Sequence, residues 1–172
     1  MKNVIFSDNI IKINFVAPFL DGVDRDRKLS KNFKLGEWYD ATFMMPDEWF
    51  GVTEIPLHKN AIKVAQLVRD ALGKAVEPTS SYRSKRWETE QRGRSGDSQH
   101  TKAFAEDLKG DGISQLIREA IEQENELYKQ LRALGVNGFG LYDLFAHLDF
   151  RPEKPNGGIY FWDNVKKKAT KK

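Results

Sequence analysis

Apolar positions recur along this chain in two rhythms, one helical and one strand-like. Between His58 and Gly73, Ile62, Ala65, Val68 and Leu72 recur at helical spacing, with Ala61, Val64 and Ala71 beside them. That spacing predicts an amphipathic helix closed by Gly73. The same rhythm runs from Asp111 to Gly135, through Ile113, Leu116, Ile117, Ala120, Ile121, Leu127, Leu131 and Leu134. It predicts one long helix stopped by Gly135. Elsewhere the period shortens to two. Ala75–Ser84 reads as a strand running into a turn, Ala103–Leu108 alternates like a strand, and Gly138–Pro152 reads as a strand entered through glycines. Val4–Pro18 also favours extended structure. The remaining segments are polar. Asp21–Lys28 is a charged loop, Ser30 offers a helix cap within Leu29–Trp38, and Lys85–Ser98 is a loop holding Gly93 and Gly96. Helices and strands are interspersed, with hairpin-like spacing near the end. The class is α+β, a small, mostly antiparallel sheet with packed helices.

Composition narrows the chemistry. A chain of 172 residues with 40% hydrophobic positions can bury a core as one domain, expected over residues 1–164. There are no cysteines, which excludes disulfides, thiol nucleophiles and thiolate-bound zinc, so any metal must be held by histidine and carboxylate. The net charge is +3, and much of the excess lies in a basic, flexible tail, Val165–Lys172. The tail reads as a solvated terminus or as a tether to a polyanion. No aromatic interleaves its lysines, so nucleic acid is not an expected partner. No apolar run reaches the roughly 18–20 residues that span a bilayer. Asp8 and Lys12 interrupt the apolar start and no cleavage site follows. Synthesis in the cytoplasm without a signal peptide is expected, with any action at a cell wall requiring release. A monomer is expected.

Polar groups on two of the strands carry the candidate chemistry. In "AFAEDL", Ala103, Ala105 and Asp107 share a face, and Glu106 points into the opposite layer. His100 lies just ahead, where a loop can bring its ring alongside Asp107. In "YDLFAHLDFR", Ala146, Leu148 and Phe150 form an apolar back, while Phe145, His147, Asp149 and Arg151 form the front. Such a front suits the wall of a polar cleft. His100, Asp107 and His147 supply two imidazoles and one carboxylate, a set known for catalytic zinc with a fourth position for water. The competing reading leaves His100 and His147 unrelated, each satisfied locally. His58 reads as a surface or helix-start residue.

These residues resemble a known family. "SQHTKAFAED" is similar to the S-x-H-x-x-G-x-A-x-D motif of the zinc D-Ala-D-Ala carboxypeptidases, a group that includes L-alanyl-D-glutamate endolysins. "FAHLDFR" resembles the F-x-H-x-D-x-R strand of that family, "SSYRS" its S-G-Y-R-S segment, and "LSKNFKLGEW" the L-S-x-N-F-x-L-x-E-[FW] stretch of one branch. The four motifs occur in order from Leu29 to Arg151. The resemblance implies the hedgehog/DD-peptidase fold and a single Zn2+ held by His100, Asp107 and His147. It implies that Arg83 faces the scissile carbonyl, where a fixed cation stabilises a developing oxyanion. It also implies substrate contacts from Ser81, Tyr82 and Ser98.

The chain departs from the family pattern at two places. Ala103 stands where the motif has glycine, and a methyl there is expected to narrow the cleft. The usual general base is missing, since Leu144 and Phe145 occupy its two customary positions. Asp149 ranks first as base or as support for His147, Asp143 ranks second, and loss of the hydrolytic machinery is the third option. The leading function is a zinc metallopeptidase of D,D-carboxypeptidase or L-Ala–D-Glu endopeptidase type, acting on peptidoglycan stem peptides as a phage or prophage endolysin. The alternative is a non-catalytic, zinc-containing binding or phage structural module.

Overall fold

The computed structural model describes residues 8–14 and 25–166. Of the extended stretch expected over Val4–Pro18, Ile10–Asn14 forms strand β1; positions 4–7 and 15–18 lie outside the described residues. So do 21–24 of the charged loop and 167–172 of the basic tail. β1 pairs antiparallel with β2 (Glu54–His58) in a two-stranded ribbon. The main sheet has five strands: β3 (Glu77–Ser80), β4 (Ala105–Lys109), β5 (Gly138–Leu141), β6 (Phe145–Asp149) and β7 (Tyr160–Asp163). Their spatial order is β3-β4-β6-β5-β7, antiparallel throughout except for the parallel β5–β7 pair. The α+β expectation holds, and among the described residues no helix is long and apolar enough to cross a membrane.

Helix α1 (Leu35–Asp40) begins later than Ser30 suggested. The Glu37 carboxylate accepts the Lys34 N–H at 2.7 Å, closing the first turn, while the Ser30 hydroxyl accepts the Phe33 N–H ahead of the helix and donates to Gln66. Helix α2 (Ala61–Leu72) follows its apolar stripe and buries Ala61, Val64, Ala65 and Val68. Gly73 ends it with φ 67°, its N–H bonding the Arg69 carbonyl. The single helix expected over Asp111–Gly135 is two. α3 (Ile113–Glu122) and α4 (Glu126–Ala133) are separated at Glu124, whose φ is 45°. Asn125 then caps α4 by accepting the Tyr128 N–H. The break lets Leu127 and Leu131 turn into the core. Lys85–Ser98 is not an open loop throughout, because Trp87–Gln91 forms a π-helical turn. The single strand expected over Gly138–Pro152 is the β5–β6 hairpin.

The sheet has one apolar face and one polar face. Leu108, Ala146 and Leu141 are register partners across β4, β6 and β5, and all are fully buried in the core with the helices. Each fully buried Leu contributes on the order of 1.5–3 kcal/mol. Strand alternation puts the residues between them on the other face. There Ser80, Asp107, His147, Gly140 and Trp162 are aligned by register in one row across all five strands. Ala105, Asp149, Gly138 and Tyr160 make the next row.

Candidate metal centre

The register supplies two members of the site. Asp107 and His147 are direct partners across β4 and β6. The third, His100, comes from a 3-10 turn, Gln99–Lys102, just before β4. Ser98 caps that turn, its hydroxyl accepting the Thr101 N–H. The turn ends at Ala103 with φ 58°, a left-handed conformation that strains any residue bearing a Cβ. This gives a physical reason for glycine at that motif position. Ala103 is buried and lies before β4, away from the cleft lining, so its methyl strains the backbone rather than narrowing the cleft.

His100 Nε2, His147 Nδ1 and Asp107 Oδ1 form a triangle with sides of 3.2, 2.8 and 3.3 Å. Donors bound tetrahedrally at zinc-like lengths stand roughly 3.3 Å apart. The outer partners set the protons. His100 Nδ1 faces the Ser81 carbonyl at 2.7 Å and must donate to it. His147 Nε2 faces the Asp149 carboxylate at 3.2 Å and donates there. In the neutral rings, both inner nitrogens therefore present lone pairs to a carboxylate oxygen. Three converging lone pairs call for a cation, and these three residues could hold a metal ion.

The electrostatics of the cluster point the same way. Burial pushes the Asp107 carboxyl up, but hydrogen bonds from His100 and His147 outweigh it and hold the group below the usual range. Burial pulls His100 down. Burial also opposes charge on His147, yet the bonds to Asp107 and Asp149 outweigh it and raise its pKa.

Around the triangle opens a cleft of about 620 Å³. Arg83, Arg92, Arg94 and Arg151 line it, against the carboxylates of Asp97 and Asp107. Arg83 is no surface turn residue. It is 6% exposed, and its Nη2 donates to Asp107 Oδ2 at 2.8 Å. Ser98 also lines the cleft.

The structure does not bring the other expected substrate contacts there. After Ser80 the chain leaves β3 and pairs with Ala41–Phe43 through Ser81 N–H to Ala41 and Phe43 N–H to Tyr82. The Ser81 hydroxyl turns to Glu106, and Tyr82 lines a separate hollow beside Val52 and Pro56. Glu106 sits fully buried in the opposite layer as expected, and burial pushes its carboxyl well up.

Neither candidate base reaches the cleft. Asp149 is fully buried behind His147, with both oxygens bonded to Arg151 at 2.6–3.1 Å. Asp143 is exposed and accepts the Lys166 N–H. His58, expected at the surface or at a helix start, is buried, stacked on Phe150 at 3.7 Å, and stands between β2 and the start of α2, where its Nδ1 accepts the Asn60 N–H at 3.3 Å.

Three contributions were not read from the sequence. Ser80 accepts the Arg83 Nε–H, and Glu88 accepts from Nη1. The glycines of "GFG" clear space, since a Cβ at Gly138 would lie 2.1 Å from Asp149 Oδ2 and one at Gly140 would lie 2.4 Å from Trp162. Their alternate spacing on β5 was the available signal.

A triangle of donors that could hold a metal ion, on the floor of an open cleft, fits the class of metal-dependent enzymes. A family profile described as Peptidase M15 matches residues 44–149, and the chain belongs to that family of metallopeptidases. The matched span contains "SSYRS" and "SQHTKAFAED" and ends at Asp149 of "FAHLDFR". No curated protein and no solved structure matches the chain.

Proposed function

We propose that this protein is a zinc metallopeptidase that hydrolyses peptide bonds in peptidoglycan stem peptides, in the manner of a phage or prophage endolysin. The carrying observation is the triangle of lone pairs from His100, Asp107 and His147, two nitrogens and one oxygen at tetrahedral spacing. That donor set suits zinc in a chain with no thiolate. Zinc held there supplies Lewis acidity towards a peptide carbonyl. The chain's own residues do the rest. Ser81 and Asp149 orient the two imidazoles through hydrogen bonds on their outer nitrogens. Arg83 meets the oxyanion that develops on the scissile carbonyl. Asp149's full burial and its bonds to Arg151 support a positioning role rather than that of a base meeting water. Arg92 and Arg94 suit a substrate carrying carboxylates, as stem peptides do. The basic tail adds attraction to an anionic wall.

One observation favours the second reading, a zinc-containing module that cuts nothing: neither Asp149 nor Asp143 lines the cleft. Metal analysis and digestion of purified peptidoglycan, with identification of the new termini, separate the two. We expect one zinc per chain, none in His147→Ala, and new termini at either D-Ala–D-Ala or L-Ala–D-Glu bonds. Arg83→Ala should keep zinc and lose roughly 10²–10³ in rate. Asp97→Asn, altering the cleft carboxylate outside the triangle, is assayed beside Asp149→Asn. Zinc without any new terminus selects the non-catalytic reading.

A further inference from the structure

Glu88 is a buried acid in a segment that reads as exposed. It lies on the π-helical turn Trp87–Gln91, amid Lys85, Arg86, Arg92 and Arg94, and is fully buried. A buried carboxylate is costly unless its lone pairs are met. Here they are met by half. Oε1 accepts from Arg83 Nη1 at 2.8 Å, Arg94 stays 3.8 Å away, and Oε2 has no hydrogen-bond partner among the described residues. A residue present only to fill this space would be better apolar. A π-helical turn is itself uncommon and recurs at functional sites. Two independent features therefore converge on one contact, that between Glu88 and Arg83.

Arg83 is held from three directions. Nε donates to Ser80 Oγ at 2.7 Å, Nη1 to Glu88 at 2.8 Å and Nη2 to Asp107 Oδ2 at 2.8 Å. A guanidinium has five N–H groups, so one on each terminal nitrogen stays free, and Arg83 lines the cleft. Without Glu88, Asp107 would be the only carboxylate among the described residues bonded to Arg83, although its other oxygen belongs to the donor triangle. Ser80 would still hold Nε, but Nη1 would lose its acceptor and that end of the guanidinium its anchor.

We propose that Glu88 is a positioning residue that locks the Arg83 guanidinium, so that its two free N–H groups face the reacting carbonyl. The proposal rests on the peptidase reading for its consequence, though not for the contact itself. It predicts that Glu88→Gln, which keeps the shape and removes the charge, leaves one metal per chain. kcat should fall roughly 10- to 100-fold, the scale of a misplaced catalytic group, with KM nearly unchanged. In an Arg83→Ala background the same change should have almost no further effect, because the two residues act as a unit. Equal losses in both backgrounds would overturn the proposal.

A readout independent of turnover is the exchange of the Arg83 side-chain N–H protons in 15N-labelled protein, assigned by comparison with Arg83→Lys. Exchange should be slow in wild type and markedly faster in Glu88→Gln; identical exchange also overturns the proposal. Glu88→Met, of similar volume, serves if the amide variant does not fold. Should wild type cleave no peptide, the peptidase reading fails while the exchange measurement still decides the role of Glu88.

Discussion

His58 and His147 are both nearly buried, yet their surroundings push them in opposite directions. His58 lies between Phe150 and Phe104 with no carboxylate bonded to it among the described residues, and burial lowers its pKa to about 4. An unfolded histidine titrates near 6.5. Between these values the unfolded chain binds the extra proton. The stability from a neutral His58 is therefore whole above pH 6.5 and is lost as pH falls towards 4, by on the order of 2–3 kcal/mol. Urea unfolding at pH 7.5 and 4.5 should show His58→Phe losing less stability on acidification than wild type. Equal losses would acquit His58. His147 differs because Asp107 and Asp149 flank its ring. If Asp149 only orients that ring, Asp149→Asn should weaken zinc binding about 10–100-fold, with activity recovered at excess metal. Normal affinity with abolished hydrolysis would make Asp149 the base instead. Asp143→Asn should change neither, since that carboxylate faces away from the cleft.

Strand β5 does its work by what it lacks. Gly138 and Gly140 stand opposite Asp149 and His147 in the register and leave room for Asp149 and Trp162. Trp162 in turn packs against the His147 ring at 5.3 Å. Gly138→Ala must displace the Asp149 carboxylate, so it should lower zinc affinity as Asp149→Asn does, with a loss of stability of about 1–3 kcal/mol from overpacking. Zinc titration followed by thermal unfolding checks both. Unchanged affinity would mean that Asp149 yields without disturbing His147. The paired helices teach the reverse lesson. Their apolar stripe was continuous, and it was Asn125, a capping residue, that marked where one helix had to restart.

At the scale of the whole molecule, the cleft is a basic opening around the His100–Asp107–His147 triangle. Arg92 lies over the Trp87 ring at 5.6 Å and has no carboxylate partner among the described residues, which leaves it available to a substrate. Replacing Arg92 and Arg94 together by glutamine should raise KM for an acidic peptide roughly 10-fold at low salt, leave kcat nearly unchanged, and matter less as salt rises. An amidated peptide of the same length should feel the change less. If both peptides respond equally, the arginines support the fold rather than the substrate.

Much of this protein is local and so was legible in the chain. Alternation placed His147, Asp149 and Arg151 on one face with an apolar back, and put Asp107 and Glu106 on opposite layers. Helical spacing marked α2 to within a few residues, and motif order marked His100, Asp107 and His147 as a group. Other features depend on contacts distant in sequence. The departure of Ser81 and Tyr82 from the cleft follows from pairing with Ala41–Phe43, some 40 residues earlier. The burial of Asp149 follows from Arg151 and from the space left by Gly138, and the burial of Glu88 follows from a π-helical turn that closes on Arg83. Periodicity states which side of a strand a residue occupies. Which neighbour meets it there, and hence whether a carboxylate binds metal, orients a ring or holds an arginine, is decided by packing between segments that the chain keeps far apart.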